Sequence, residues 1–232
     1  MSPVPRPGPE RSPAVPRARR RPGASPALTA RRLALAGLLL LGARADVLAQ
    51  SRPRPDRFDD SFRKYSKRYF GPTYDWRVFK AQGLTESNLD STARSHVGAR
   101  GVMQLMPSTY REIVSRNPDI RRHAIDDPEG NIAAGISYDR RLWRQWEQDS
   151  VGFHCREFMF ASYNAGRGTI LDAQRAARAA QLDAHVWPSI ERVAPRVPGW
   201  RYRETLGYVQ RIEQHLSRLD DKGRVTRPPG RK

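Results

Sequence analysis

Cysteine is almost missing from the sequence, since Cys155 is the only one among 232 residues. A single cysteine excludes an intrachain disulfide and any metal site built from several thiolates. The five histidines are scattered and lack the spacing of metal ligands, so we expect no metal and no cofactor. Cys155 lies in the apolar run FHCREFMF, where a free cysteine behaves as a small hydrophobic side chain, and we expect it to be buried.

Two frequent catalytic signatures are also missing. The sequence has neither a G-x-S-x-G motif nor a glycine-rich phosphate-binding loop. The glycines in GARG (98–101) and NAGRG (164–168) are better explained as positions of positive φ or of close approach. Carboxyl groups are left as the candidates for catalysis.

Long hydrophobic runs are missing as well. The strongest one, LALAGLLLLGA at 33–43, follows two arginines and is shorter than the roughly 20 residues that span a bilayer. It fits the hydrophobic region of a signal peptide, and A-R-A at 43–45 is a suitable cleavage pattern. We therefore predict that residues 1–50 are a signal peptide with a long basic, Pro/Arg-rich start. The domain would be exported to the periplasm or cell envelope. The alternative is an uncleaved segment that associates the protein with the membrane.

Acidic residues are strongly outnumbered, and the formal net charge is +18. Residues 1–52 contain ten arginines and two acids, which gives +8 and leaves +10 for the remainder. Such a charge suits nucleic acid, an anionic membrane surface or an anionic cell-wall polymer, while a solvated arginine-rich surface explains it equally well. The lack of a nucleic-acid-binding motif and the export signal argue against nucleic acid as the partner.

Helical periodicity dominates from Phe58 onwards. We predict helices over about 57–69, 76–87, 107–115, 127–147, 154–163, 169–181 and 203–219. The expected fold is mainly α, of the α+β lysozyme-like kind, with a small β-hairpin or irregular loop near 92–106. Residues 182–201 are expected to be irregular. This gives a linker at 51–57, a single domain at 58–220, expected to be monomeric, and a basic disordered tail at 221–232.

Glu86 is an acidic residue at the end of an apolar helix face. Trp76, Phe79 and Gly83 share that face, and Glu86 lies one turn beyond Gly83. Desolvation there would raise the pKa of the carboxyl group and make it a general acid at neutral pH, which glycoside cleavage requires. Spacing alone leaves open that Glu86 is simply an exposed or capping acid near a helix end.

Several blocks occur in the order found in one enzyme family. They are Glu86-Ser87, GARGVMQLMP (98–107), ASYNAG (161–166), and Glu204-Thr205 followed by Tyr208-Val209, and DPEGNIAAG (127–135) also fits. In these blocks the chain resembles the family 1 lytic transglycosylases of the soluble (SLT) type, which have a goose-lysozyme-like fold. It is most similar to the branch of the membrane-bound lytic transglycosylase F.

The resemblance implies a peptidoglycan lytic transglycosylase that cleaves the β-1,4 bond between N-acetylmuramic acid and N-acetylglucosamine. Glu86 would protonate the glycosidic oxygen and then deprotonate the C6 hydroxyl, which closes a 1,6-anhydro ring. The partner would be the peptidoglycan glycan strand. The residues implied in substrate binding are Ser87, Met103, Gln104, Tyr163, Asn164, Glu204 and Tyr208.

Some of these roles have alternatives. Met103 and Tyr208 also suit packing, and Glu204 also suits the first turn of a helix. Asp90 is the nearby second carboxylate, and if it faced the cleft it would allow a lysozyme-type hydrolase. A non-catalytic peptidoglycan-binding module is the further alternative.

Overall fold

The computed structural model describes residues 56–149 and 151–226. The predicted signal peptide, most of the predicted linker and residues 227–232 lie outside these ranges. Within them the chain forms eight α-helices. In chain order these are α1 Asp59–Phe70, α2 Arg77–Ser87, α3 Pro107–Arg116, α4 Pro128–Gln148, α5 Cys155–Ala165, α6 Arg167–Ala179, α7 Trp187–Val193 and α8 Tyr202–Ser217.

Side-chain caps explain where α2 and α4 begin. The carboxylate of Asp127 accepts a hydrogen bond from the Gly130 N–H, as its Asp-Pro-Glu start predicts. Asp75 acts similarly at α2, because its Oδ1 accepts from the Arg77 N–H at 3.0 Å. Helix α2 ends where Asn88 adopts a left-handed conformation with φ 54°. The chain therefore turns sharply directly after the last turn of α2.

The hydrophobic core is centred on α5. This helix packs on α4, α6 and α8, and α2 packs on α8. Residues 158–161 of α5 are fully buried, and Cys155 is buried as predicted. The Trp146 Nε1–H donates to Ser162 Oγ at 3.0 Å and joins α4 to α5. Each large apolar side chain buried here contributes about 1.5–3 kcal/mol. The prediction of a mainly α-helical domain is confirmed.

The segment near 92–106 is an irregular loop with isolated β-bridges rather than a hairpin ladder. The buried Asn131 of α4 holds it in place. Its Oδ1 accepts from the Met103 N–H at 2.8 Å, and its Nδ2 donates to the Arg100 carbonyl at 3.0 Å. Gly101 has φ 74°, and a Cβ there would lie 2.7 Å from the Asn131 side chain. Only glycine therefore fits between the loop and this amide.

Residues 182–201 are more regular than predicted. They contain α7 and a 3₁₀ turn at Ala194–Arg196. The prolines of this segment suggested irregular chain, but Pro188 and Pro195 lie in the first turns of these two elements. A proline there loses no intrahelical hydrogen bond and already has a helical φ.

The predicted disordered tail is folded as far as the structure describes it, which corrects the boundary at residue 220. Leu219 and Val225 form an antiparallel bridge. The carbonyl of Gly223 accepts a hydrogen bond from Lys80 Nζ at 2.7 Å. A Cβ at Gly223 would lie 2.2 Å from the Trp76 ring, so the turn packs directly on the residue that precedes α2.

Candidate active site

Glu86 lies in the last turn of α2, where α8 crosses it. The Tyr208 hydroxyl of α8 donates to Glu86 Oε1 at 2.6 Å. The residue is half-buried, but the surroundings of its carboxyl group are mostly protein. Burial raises its pKa from 4.5 to about 7, opposed by the Tyr208 hydrogen bond and the positive charge of Arg211. This is the raised pKa that the apolar helix face predicts.

A hydrogen bond from Gln82 fixes the position of Tyr208. Tyr208 is 3% exposed, and its hydroxyl oxygen accepts from Gln82 Nε2 at 3.3 Å. The implied sugar contact stays a prediction, and in this structure the Tyr208 hydroxyl contacts the Glu86 carboxylate while the side chain is almost fully buried. The packing alternative describes the ring of Tyr208, while its hydroxyl sets the environment of the acid.

Tyr163 and Met103 form the wall next to Glu86. The Tyr163 hydroxyl donates to the Met103 carbonyl at 2.8 Å. Burial, and then the nearby Glu86, raise the pKa of Tyr163 well above its usual value, so this hydroxyl stays protonated. Met103 is fully buried, and a Cβ on Gly135 would lie 2.8 Å from its side chain. The Met103 side chain therefore fits the packing alternative, and its implied substrate contact stays a prediction.

Ser87 connects the end of α2 to the irregular loop, and Gln104 forms hydrogen bonds within that loop. Ser87 Oγ donates to the Val102 carbonyl at 2.9 Å. Gln104 has φ 44°, and its Nε2 donates to the carbonyls of Gly101 and Ala93 at 2.9 and 3.2 Å. Both residues are half-buried and therefore keep part of their surface accessible.

Asn164 and Glu204 come together at a second location. They line a cavity of about 230 Å³ between the end of α5 and the start of α8. Asn164 Oδ1 accepts from Thr205 Oγ1 at 2.8 Å. The exposed Glu204 pairs with Arg201 at 2.9 Å. The structure thus divides the implied site residues into a group around Glu86 and a pair in this cavity.

Asp90, the second carboxylate considered from the sequence, points away from catalysis. It is exposed, and its Oδ1 accepts from the N–H and hydroxyl of Thr92 at 2.8 and 2.7 Å. These hydrogen bonds lower the pKa of Asp90 below its usual value. It caps the turn that follows α2.

A second carboxyl group near Glu86 is Asp139 of α4, whose pKa Glu86 raises and which the sequence interpretation missed. Asp139 is fully buried and accepts from Gln82 Nε2 at 3.3 Å. A signal was present, because position 139 follows Ile132 by seven residues and Ile136 by three, on the buried face of α4. A polar residue at a buried helix position needs a hydrogen-bond partner.

The fold and the site together define a helical, lysozyme-like domain with one acid of raised pKa at the end of a buried helix. The model of the transglycosylase SLT domain matches residues 62–186, which is more than half of the chain. The chain therefore belongs to the SLT transglycosylase family.

Two curated relatives are named membrane-bound lytic murein transglycosylase F. The protein from Desulfosudis oleivorans is 30% identical over 164 residues, covering 66% of this chain and 34% of the relative. The protein from Vibrio cholerae is 32% identical over 151 residues, covering 64% of this chain and 26% of the relative. This chain thus spans about a quarter to a third of the length of these relatives.

A solved structure is similar over most of the described chain. It is the 70 kDa soluble lytic transglycosylase from Escherichia coli, with a TM-score of 0.52 and 27% identity. The match covers 74% of this chain and 25% of that chain. This similarity agrees with the lysozyme-like fold expected from the sequence.

Proposed function

We propose that this domain is a peptidoglycan lytic transglycosylase acting on the β-1,4 bond between N-acetylmuramic acid and N-acetylglucosamine. The observation that carries the proposal is Glu86, a carboxyl group with a pKa of about 7 and one oxygen occupied by Tyr208 at 2.6 Å. Membership of the SLT transglycosylase family supports it, as do the names of the relatives.

In the first step the protonated Glu86 gives its hydrogen to the glycosidic oxygen. The bond from that oxygen to C1 of the muramoyl residue breaks, and positive charge develops at C1. Tyr208 occupies Oε1, so the proton is carried by Oε2. At a pKa of about 7 a large fraction of Glu86 is protonated at neutral pH, as a general acid requires.

In the second step the Glu86 carboxylate takes the proton of the C6 hydroxyl. The oxygen of that hydroxyl attacks C1 and closes the 1,6-anhydro ring, so Glu86 ends protonated and no water is consumed. Because the nucleophile belongs to the same sugar, proximity replaces a second catalytic carboxylate. Asp90 faces solvent and Asp139 is fully buried, which favours this route over activation of a water by either of them.

The remaining implied residues fit supporting roles at two places, beside Glu86 and in the second cavity. We infer that Ser87, Gln104 and Tyr163 shape the wall beside Glu86, because each bonds the loop that follows α2 or its backbone. Asn164 and Glu204 would contact a sugar in the second cavity, since both are exposed there.

Positive charge is concentrated at another cavity of the domain, of about 360 Å³. Its lining includes Arg68, Arg116, Arg140, Arg141 and Arg144. Three acids, Glu112, Asp119 and Glu147, form ion pairs with members of this set. The excess of arginine supports an anionic polymer such as peptidoglycan as the binding partner.

The proposed location is the cell envelope, where peptidoglycan lies. The relatives carry the words membrane-bound and murein in their names, and the sequence predicts an export signal in residues 1–50. Across the two described ranges no helix has the length and apolar character to cross a membrane. The proposal includes a monomer whose membrane association depends on whether the signal segment is retained.

Digestion of purified sacculi tests the function. Mass spectrometry should detect 1,6-anhydromuropeptides with the wild-type protein and none with Glu86→Gln. Products with free reducing ends would instead assign a lysozyme-type hydrolase. Equal binding of both proteins to sacculi without any product would assign a non-catalytic binding module.

A further inference from the structure

A continuous line of hydrogen bonds runs from the buried Asp139 to the catalytic acid. Asp139 Oδ1 accepts from Gln82 Nε2 at 3.3 Å, and the same nitrogen donates to the Tyr208 hydroxyl oxygen at 3.3 Å. Tyr208 then donates to Glu86 Oε1 at 2.6 Å. Asp139 and Gln82 are both fully buried, so water does not compete for these bonds.

The chemistry of the amide fixes the direction of this line. The Gln82 nitrogen has two hydrogens and accepts none, so it gives one to Asp139 and one to Tyr208. The Tyr208 oxygen therefore accepts a hydrogen bond from Gln82. Its single hydrogen is left to donate to Glu86. Glutamine at position 82 thereby directs the Tyr208 hydrogen towards Glu86.

Two buried atoms of this line have no hydrogen-bond partner among the residues that the structure describes, Gln82 Oε1 and Asp139 Oδ2. Both are acceptors if Asp139 is ionised, and an ionised acid has no hydrogen to offer the amide. A protonated Asp139 has one hydrogen, and a carboxylic acid facing an amide can exchange two hydrogen bonds with it. A proton on Asp139 would thus give this pair of side chains the donor that it lacks.

The electrostatic surroundings also favour the protonated form. The ionisable groups facing Asp139 are Glu86 and the tyrosines, namely Tyr74, Tyr138, Tyr163 and Tyr208. Burial, and then the nearby Glu86, raise the pKa of Asp139 well above its usual value. The nearby positive charge is that of Arg211, and it lowers the pKa of Glu86 rather than that of Asp139.

We propose that Asp139 is a positioning residue that works as a neutral carboxylic acid. It fixes the Gln82 amide, which directs the Tyr208 hydroxyl onto Glu86 and leaves Oε2 of Glu86 for the proton and the sugar. The effect of Asp139 on turnover rests on the proposed transglycosylase function, whereas the protonation state of Asp139 does not.

Asparagine is the matched substitution for a neutral acid. In Asp139→Asn the side chain keeps one acceptor and one donor at the same positions, so kcat should stay within about twofold and the pH–rate profile should not move. Asp139→Leu removes both bonds to Gln82, and kcat should fall about fivefold to tenfold with KM unchanged, as for the loss of one hydrogen bond. Gln82→Met should give the same loss.

Two results would overturn the proposal in these assays. One is a shift of the Asp139→Asn profile along the pH axis, because that variant would then have removed a negative charge next to Glu86. The other is full kcat in a folded Asp139→Leu protein.

Carbon-13 NMR of the side-chain carboxyl groups tests protonation without any substrate. The resonance that disappears in Asp139→Asn belongs to Asp139, and we expect it to stay at the shift of a protonated acid from about pH 4 to pH 8. Titration of this resonance near its ordinary value, below about pH 5, would refute the neutral acid. This measurement remains decisive if Asp139→Leu fails to fold or if wild-type protein releases no anhydromuropeptides.

Discussion

Helix α2 carries two buried ionisable side chains, Lys80 and Glu86, and their surroundings are opposite in kind. Lys80 is fully buried, and its Nζ lies 2.5 Å from Asp59 Oδ1 and 2.7 Å from the Gly223 carbonyl. Among the described residues, Glu86 has one neutral donor, the Tyr208 hydroxyl, and a more distant positive charge on Arg211. The charge of Lys80 is compensated by two partners, whereas a charge on Glu86 is left mostly uncompensated.

This difference distinguishes a charge that stabilises the fold from a group suited to proton transfer. The Lys80 ammonium joins α1, α2 and the segment after α8 through strong charge-assisted hydrogen bonds. Glu86 has lost its water without gaining a charged partner, which raises its pKa to about 7. In the proposed mechanism, this weak compensation lets the acid give its proton away and take another.

Glu86→Gln should produce the largest effect on activity. An amide can neither donate nor accept the proton, so release of 1,6-anhydromuropeptides from sacculi should fall by roughly 10²- to 10⁴-fold. The matched control is Asp90→Asn, which removes an exposed carboxylate one turn away and should leave the rate within about twofold. Retention of more than about a tenth of the activity in Glu86→Gln would show that another group is the acid.

Lys80→Met should act on stability. It leaves Asp59 facing the protein interior without its cation, and breaking a buried pair in this way lowers the free energy of unfolding by about 3–5 kcal/mol. Urea denaturation measures the change. The double variant with Asp59→Asn should recover part of the loss, because no unpaired charge remains. A loss below about 1 kcal/mol in Lys80→Met would place the pair with ordinary surface ion pairs.

The stability of Glu86→Gln relative to wild type should depend on pH. The folded protein holds the Glu86 proton more tightly than the unfolded chain, because the pKa is about 7 when folded and 4.5 otherwise. The stability from that proton is complete below pH 4.5 and is lost as the pH rises to about 7. From about pH 4 to pH 8 the variant should therefore gain about 3 kcal/mol over wild type. An equal difference at both pH values, measured by urea denaturation, would contradict a raised pKa.

Sequence reasoning found the helices and the acid because both leave local signals. Helical periodicity and the cap at Asp127 predict element positions, and the apolar face before Glu86 predicts desolvation. The missed features depend on partners far along the chain. Gln82 bonds Asp139 and Tyr208, and Lys80 meets a turn at Gly223 whose own composition suggested disorder.

At two implied substrate contacts the structure shows packing or an internal hydrogen bond, for a related reason. A family block gives the residue type at a position but not whether its side chain or its backbone is used. Met103 contributes its carbonyl to Tyr163 and buries its side chain, and Tyr208 contributes its hydroxyl to Glu86. Burial could not be predicted at these positions, because a methionine or tyrosine near a cleft suits both a wall and a core.

Tyr208→Phe should give the smallest of these effects and tests what the single donor contributes. The Tyr208 hydrogen bond stabilises the ionised form of Glu86 and lowers its pKa, so removing it should raise that pKa above about 7. The first step needs the protonated acid, and the falling limb of kcat/KM should therefore move to higher pH. The rate at the optimum should drop about fivefold to tenfold, because the carboxyl group is no longer held.

Tyr163→Phe is the matched control, since its hydroxyl bonds the Met103 carbonyl and its loss should leave the limb where it is. A limb that moves to lower pH in Tyr208→Phe would mean that the hydroxyl stabilises the protonated acid, and that Glu86 owes its proton to Tyr208 rather than to the loss of water.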